Sequence, residues 1–486
     1  MIYIIIQNLP VLIVIIPLIT AFLMPIIGLF KIRYCFYTSL ISISITLLIG
    51  VLILNSVIND GTIHYHIGNW EPPYGIEYVI DYLNTFMILL ITSVAFIITI
   101  YSRRSVEKEL PNNIALFYTL FVLFITGLLG IVVTGDLFNL YVFLEITSLA
   151  AYTLISLGEK RDALIASFNY LIMGSIAACF ILIGIGFIYT MTGSLNMADI
   201  SIRLKDLYDS NVVHAAVIFF IVGLSIKIAL FPLHTWLPNA YTHAPSTVTA
   251  LIASLMSKVC IYIMIRILFS IFTVQFFLHT VPVGEILSWI AAIAIILGSI
   301  NAIAQTDIKR MLAYSSVSQI GYIVLGMGLA NYDGLTGSLL HILNHAFMKG
   351  CLFLTVGAII YKTGIRNIYD FKGLAWKMPV TMLAFTIASL SMVGIPPLCG
   401  FFSKWYLALG SIKSGKWIFA LVILLSSLLN AAYFFRILER ALFGKYEHKT
   451  DEAPKSMLIP ITIMAIGCIV FGIFGQFMEI ISKSLI

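Results

Sequence analysis

Charge is scarce in this chain. Of its 486 residues only 10% are Asp, Glu, Lys or Arg, whereas 60% are hydrophobic, and the mean hydropathy is +1.04. The small surplus of +6 sits mostly in loops and reads as membrane topology; it argues against nucleic-acid binding. Cysteine is sparse as well: Cys35, Cys179, Cys260, Cys351, Cys399 and Cys468 form no CxxC pair, and nearly all lie in apolar runs. That pattern fits small core residues better than a cluster or a disulfide framework. There is no phosphate-binding loop, no nucleophile triad and no dinucleotide fingerprint. The alternation over about ten residues that marks a membrane β-barrel is absent too.

What the chain has is apolar length. A spanning helix needs about 20 apolar residues, and such runs recur from end to end. The fold class is therefore an all-α polytopic membrane protein with about fourteen transmembrane helices. They are placed near 8–29, 35–57, 78–101, 113–134, 137–157, 164–190, 212–236, 244–270, 283–304, 310–330, 335–361, 378–411, 415–438 and 456–481. The N-terminus has neither the basic start nor the cleavage site of a signal peptide and is read as the first span. The longest polar gaps, near 58–77, 191–211, 362–377 and 441–455, hold no soluble domain, so residues 1–486 form one membrane domain.

Basic residues gather on alternate loops. One side holds Lys31, Arg33, Arg103, Arg104, Lys108, Lys160, Arg161, Lys309, Arg310, Lys362, Arg366, Lys372, Lys377, Arg440, Lys445, Lys449 and Lys455. The other holds only Arg203, Lys205, Lys413, Lys416 and Lys483. The positive-inside rule makes the first side cytoplasmic and puts both termini on the other.

Two spans are interrupted. The seventh breaks at Phe231 and Pro232, and the twelfth across Gly394 to Gly400, which includes Pro396 and Pro397. Each carries a lysine near its break, Lys227 before the first and Lys404 after the second. The two spans run in opposite directions and stand five places apart in the order of spans. Two inverted five-helix repeats, roughly 113–270 and 283–438, fit this arrangement, with the transport site at the broken helices.

A charge at the bilayer centre costs roughly 2.5–3.5 kcal/mol, so each buried one needs a reason. Glu145 in the fifth span is most simply paired with Lys227; losing that partner would make the lysine's charge costlier and release its proton. The alternative is a static ion pair that fixes packing. Lys258 lies too deep in the eighth span to snorkel to water. Arg266 is nearer the surface and reads as an interfacial anchor. His341 and His345 share one face of the eleventh span, continued by Lys349. A neutral imidazole can relay a proton, although His at i and i+4 also suits zinc; no third ligand stands close in sequence, so no metal is assigned. Lys404 is placed as the terminal carrier. Asp136 reads as a helix cap, and Glu285, Glu439 and Glu479 as groups that meet water. Asn344, Ser315, Ser316, Ser318 and Gln319 are candidates to line a hydrated chain, or simply to glue helices together.

Several stretches carry a family resemblance: HTWLPNAYTHAP from His234 to Pro245, DIKRMLAYSSVSQIGY from Asp307 to Tyr322, His341 to Lys349, and Gly394 to Lys404. The chain resembles the antiporter-like, proton-pumping subunits found in respiratory complex I, membrane-bound hydrogenases and Mrp-type cation/proton antiporters. WEPPYGIE from Trp70 to Glu77 and GDLFNLYVFLE from Gly135 to Glu145 look most like the D subunits of the Mrp antiporters. The resemblance implies fourteen helices in two inverted repeats, and a proton path through Glu145, Lys227, Lys258, His341 or His345, and Lys404. It implies no cofactor of the chain's own, with other membrane subunits, a proton and a sodium or potassium ion as partners. The resulting expectation is a proton-translocating subunit of a multisubunit cation:proton antiporter. Its rivals are the same machinery driven by redox partners, and a degenerate scaffold.

Overall fold

The computed structural model describes residues 7–158, 160–276, 282–444, 450–473 and 481. Lys445, Lys449, Lys483, Glu479, both chain ends and the far end of the fourteenth span lie outside the described residues. Among the described residues, thirteen helices are long and apolar enough to cross a membrane. Two half-helices, Pro379–Val393 and Cys399–Lys413, make a further crossing, the twelfth in chain order. The seventh crossing is likewise divided, into Asn211–Ile228 and Trp236–His243.

The polar gap before the third span, Tyr82–Glu109, is not a plain loop. Ile63–His66 (β1) and Glu77–Ile80 (β2) pair antiparallel, with Ile63 opposite Ile80 and His66 opposite Glu77. β1 alternates apolar and polar side chains and is the more exposed strand, whereas β2 is mostly buried; β2 leads into a capping box in which Asp81 accepts from Asn84 N at 3.0 Å.

The helices are not equally central. In the best window of the eighth span, Ser246–Ile271, and of the eleventh, Tyr332–Thr363, every residue is buried, against 28% in the first, Leu9–Phe30. The eighth, eleventh and tenth (Ile308–Leu329) spans thus form the core, and the first two line its flank. Close approach depends on small residues: a Cβ at Gly223 would sit 2.8 Å from the Ala177 carbonyl of the sixth span, Arg161–Thr192.

The same local device occurs at both faces. Ahead of the fifth span, Leu137–Ser156, Asp136 pairs with Asn196. There Leu137 N donates to Leu195 O at 2.9 Å and Met197 N to Gly135 O at 2.8 Å. Ahead of the tenth, Asp307 pairs with Asn367; Ile308 N donates to Arg366 O and Ile368 N to Thr306 O, both at 2.9 Å. Each aspartate also caps its helix, accepting from Asn139 N at 2.7 Å or Arg310 N at 3.0 Å. The first clasp lies on the face with Lys205, the second on the face with Lys108, Lys160 and Arg366.

Both broken spans end their first half on a left-handed residue, Ala229 at φ 57° and Gly394 at φ 92°. That geometry turns the chain out of the helix and leaves carbonyls in the membrane that need donors.

Candidate functional site

Lys227 occupies the last turn of Asn211–Ile228, just before the break. Its Nζ donates to Glu145 Oε1 at 3.2 Å and to Ser148 Oγ at 2.6 Å. Glu145 and Ser148 stand three residues apart in the fifth span and so present one face. The lysine side chain is fully buried, whereas 28% of the glutamate's is exposed at the flank of the molecule. At an effective dielectric of about 20, opposite charges this close attract by roughly 5 kcal/mol, which exceeds the ~3 kcal/mol needed to place a lysine in the bilayer. Trp236 bridges the break by donating Nε1 to Ile226 O at 2.9 Å, and its ring stacks on Tyr170.

The eighth span follows directly. It contains two π turns, Ile252–Met256 and Arg266–Ile271. Such turns loosen the α-helical ladder and often mark functional sites. Lys258, fully buried, turns its ammonium back into the first of them, donating to Ala253 O and to Ser257 Oγ, the latter at 3.3 Å.

In the eleventh span the rings of His341 and His345 are nearly parallel, 5.9 Å apart. His341 is held at both nitrogens: Nδ1 lies 2.8 Å from Ser403 Oγ, and Nε2 lies 2.9 Å from Gln319 Oε1. The carbonyl oxygen of Gln319 requires a proton on Nε2, so in the neutral ring Nδ1 accepts from Ser403. His345 is different. It is fully buried, and neither ring nitrogen has a protein partner among the described residues. Lys258, Lys349 and His341 lie within electrostatic reach of it. Lys349 donates to Leu312 O at 2.8 Å and to Ser315 Oγ.

Lys404 begins beyond the twelfth break and reaches back across it. Its Nζ donates to Met392 O at 2.9 Å, Val393 O at 3.0 Å and Ser427 Oγ at 3.1 Å, and lies 4.9 Å from the Tyr322 ring centre. It therefore caps the carbonyl end of the preceding half-helix, where the helix dipole favours a cation.

All the sequence-derived candidates thus lie in or against the buried core: Glu145 with Lys227 at the flank, then Lys258, His345 and His341, then Lys404. Of the histidine pair, His341 is engaged at both ring nitrogens by Ser403 and Gln319, and His345 at neither. Two placements differ from the sequence reading. Arg266 is no interfacial anchor: its side chain is 13% exposed, and it bonds Asp81 Oδ1 at 2.6 Å and Tyr262 Oη at 3.2 Å. The capping carboxylate of the third span meets it there. Burial alone would raise the Asp81 carboxyl, but Arg266 outweighs it and holds the group below the ordinary carboxylate range. Lys309, placed among the loop charges, is fully buried, donating to Ala244 O at 2.9 Å. Ser148 and Ser403 carried no signal of their own; the Asp81 and Asn84 capping pattern ahead of an apolar run did.

The fold and the buried row of titratable side chains define an ion-handling polytopic membrane protein. The chain belongs to the family described as NADH:quinone oxidoreductase/Mrp antiporter, transmembrane, whose model matches residues 134–430. It is 45% identical to the N subunit of the NADH-quinone oxidoreductase of Desulforudis audaxviator, over 98% of this chain and 97% of that one. It is 32% identical to the Na(+)/H(+) antiporter's D subunit from Alkalihalophilus pseudofirmus, over 88% and 87%. Among solved structures, it matches a chain of the membrane-bound sulfane sulfur reductase, an archaeal respiratory membrane complex. That match has a TM-score of 0.91 at 30% identity, covering 98% of this chain and 96% of the other.

Proposed function

We propose that this chain is the proton-translocating subunit of a multisubunit sodium or potassium:proton antiporter, working beside other membrane subunits. The observation that carries this reading is the row of titratable groups buried in one core, from the Glu145–Lys227 pair through Lys258 and His345 to His341 and Lys404. The antiporter relative supports the drive by cation exchange. The two clasps at opposite faces support a division into inverted repeats, 113–270 and 283–438. The charge bias puts the face with Lys108, Lys160 and Arg366 in the cytoplasm, and both termini on the other side of the cell membrane.

Protons pass one at a time along the row. A movement at the exposed flank of Glu145 draws it from Lys227, the lysine's charge loses its counter-ion, and its proton moves toward Lys258. His345 offers two unbonded nitrogens between Lys258 and His341, and buried polar atoms of this kind are ordinarily satisfied by water. At His341 the Ser403 hydroxyl can turn to Gly400 O, 3.2 Å away, which frees Nδ1 to take the proton and hand it on toward Lys404. Lys227→Ala and Glu145→Ala complexes, reconstituted in vesicles, are expected to lose cation-dependent proton flux; wild-type rates from assembled variants would refute the path.

A second reading keeps the residues and changes the drive: a proton-pumping subunit of an electron-transfer complex. The 45% identical relative, matched over nearly its whole length, favours it. Mass spectrometry of the native complex in mild detergent separates the two. Membrane-embedded antiporter subunits alone mean cation exchange; iron–sulfur or flavin subunits mean redox drive.

A further inference from the structure

The eighth span is polar along its whole length on one side. Thr247, Ser254, Lys258, Tyr262 and Arg266 follow one another at seven, four, four and four residues, which keeps them on one face of a helix. Every residue in the best window of this span is buried. The hydroxyls of Thr247 and Ser254 have no protein partner among the described residues. An apolar interior does not ordinarily tolerate two such hydroxyls, so they point to water along this face.

The stripe opens at both ends. Beside its first residue, on the face with the basic loops, a cavity of about 250 Å³ is lined by Glu109, Lys108 and His243. There Glu109 Oε2 accepts from Ser246 N at 2.8 Å, at the positive end of the helix. Beside its last residues, on the opposite face, lies a cavity of about 420 Å³, room for many water molecules. Glu77, Asp81, Lys205 and Arg266 are the charged groups of its wall. Two acids balance two bases, so the mouth neither collects nor repels cations strongly.

Between Lys258 and this cavity stands one closed cluster. The Tyr262 hydroxyl donates to Val132 O at 3.1 Å and accepts from Asn84 Nδ2 at 3.0 Å and Arg266 Nε at 3.2 Å. Arg266 in turn holds Asp81 at 2.6 Å, and its Nη2 also donates to Asn84 Oδ1. A guanidinium keeps its charge at any physiological pH. Unbalanced, it would bar a proton or cation from the stripe; balanced by Asp81, it does so much less.

We propose that the cavity at the end of the eighth span is the mouth through which the proton path meets the face opposite the basic loops, and that the Asp81–Arg266 pair is the gate between that mouth and Lys258. The inference deepens the proton-path reading and rests on it. It places the opening to that face at the end of the eighth span rather than beyond the twelfth break. Asp81 and Arg266 act as positioning residues: they set the charge at the mouth and carry no proton themselves.

The test uses the whole complex in proteoliposomes with Cys179, the one exposed cysteine among the described residues, changed to serine. Ser201→Cys on the cavity wall and Ser414→Cys at the far end of the twelfth span are each treated with a membrane-impermeant cationic thiosulfonate, and proton flux is read before and after. A fixed cation in the mouth is expected to cut flux about tenfold at position 201 and to leave it unchanged at 414. In parallel, Asp81→Asn leaves the Arg266 charge unbalanced and is expected to slow flux about tenfold, while Asp81→Asn with Arg266→Gln returns to within about threefold of wild type. A merely structural pair would leave the double variant at least as slow as the single. The proposal falls if labelling at 201 leaves flux unchanged, or if the double variant gives no rescue. Lys227→Ala in the same vesicles distinguishes the failures. If it abolishes flux while 201 is silent, only the mouth is wrong; if it runs at the wild-type rate, the proton path itself is wrong and the mouth falls with it.

Discussion

The two broken crossings are built alike and charged differently. In the seventh, Ala229 takes the left-handed turn and Leu230 N reaches back to Ser225 O at 2.9 Å; in the twelfth, Gly394 turns and Ile395 N reaches Leu390 O at 3.2 Å. Lys227 stands two residues before the turn, and the matching place in the twelfth is Met392. The second half instead supplies its ammonium from beyond the break, and Lys404 delivers it to the carbonyls of Met392 and Val393. Glu145 stands nine residues after the clasp aspartate Asp136; nine after Asp307 stands Ser316. One half therefore holds its lysine with a carboxylate, the other with carbonyls, a hydroxyl and an aromatic face. A pair of opposite charges can be opened by moving either member, which suits a gate. A charge held by dipoles alone has no counter-ion to leave behind, which suits a station that loads and unloads.

The largest test of that contrast is Glu145→Gln. It strands Lys227 in the membrane, and breaking a buried pair costs about 3–5 kcal/mol, so proton flux should fall by about 100-fold, read by a pH dye in vesicles. His345→Leu attacks the link between the halves. It removes no protein hydrogen bond, so the melting temperature should hold or rise while flux drops at least about tenfold. A Tm fall like that of Glu145→Gln would mean that His345 is structural. Met392→Glu makes the second half resemble the first: a carboxylate beside Lys404 should keep it charged, leave stability equal or higher and slow flux about tenfold. Equal flux would show that the contrast has no functional weight. The smallest effects concern the turns. Gly394→Ala forces a side chain into φ 92° and puts its Cβ 3.1 Å from Lys404 Cδ. It should lower stability by about 1–2 kcal/mol, whereas Ala229→Gly should raise it by up to about 1 kcal/mol. Denaturant melts of the two variants read that difference in sign.

Much of the site was legible because a membrane makes charge conspicuous. Glu145, Lys227, Lys258 and Lys404 stood out as single charges in apolar runs, and the structure sets Glu145 3.2 Å from Lys227. Arg266 stood out too but was placed at the interface, because its partners come from far away in the chain: Asp81 and Asn84 precede it by 185 and 182 residues. Lys309 looked like one more loop charge beside Arg310, and only the packing of Ala244 against it reveals its burial. The hairpin was passed over because its strands are four residues each, too short to stand out beside runs of twenty or more.

The spans, their breaks and the charges that must be accounted for follow from the order of residues alone. Crossing a bilayer is a local demand on length and hydropathy, and proline interrupts a helix wherever it falls. Helix packing sets which charge meets a carboxylate and which meets carbonyls, which histidine is tied and which is open, and that one buried helix has a polar cavity at each end. Those outcomes depend on which helices are neighbours, and in a chain of similar apolar spans neighbourhood is settled by close packing of small residues and by pairings across long sequence distances.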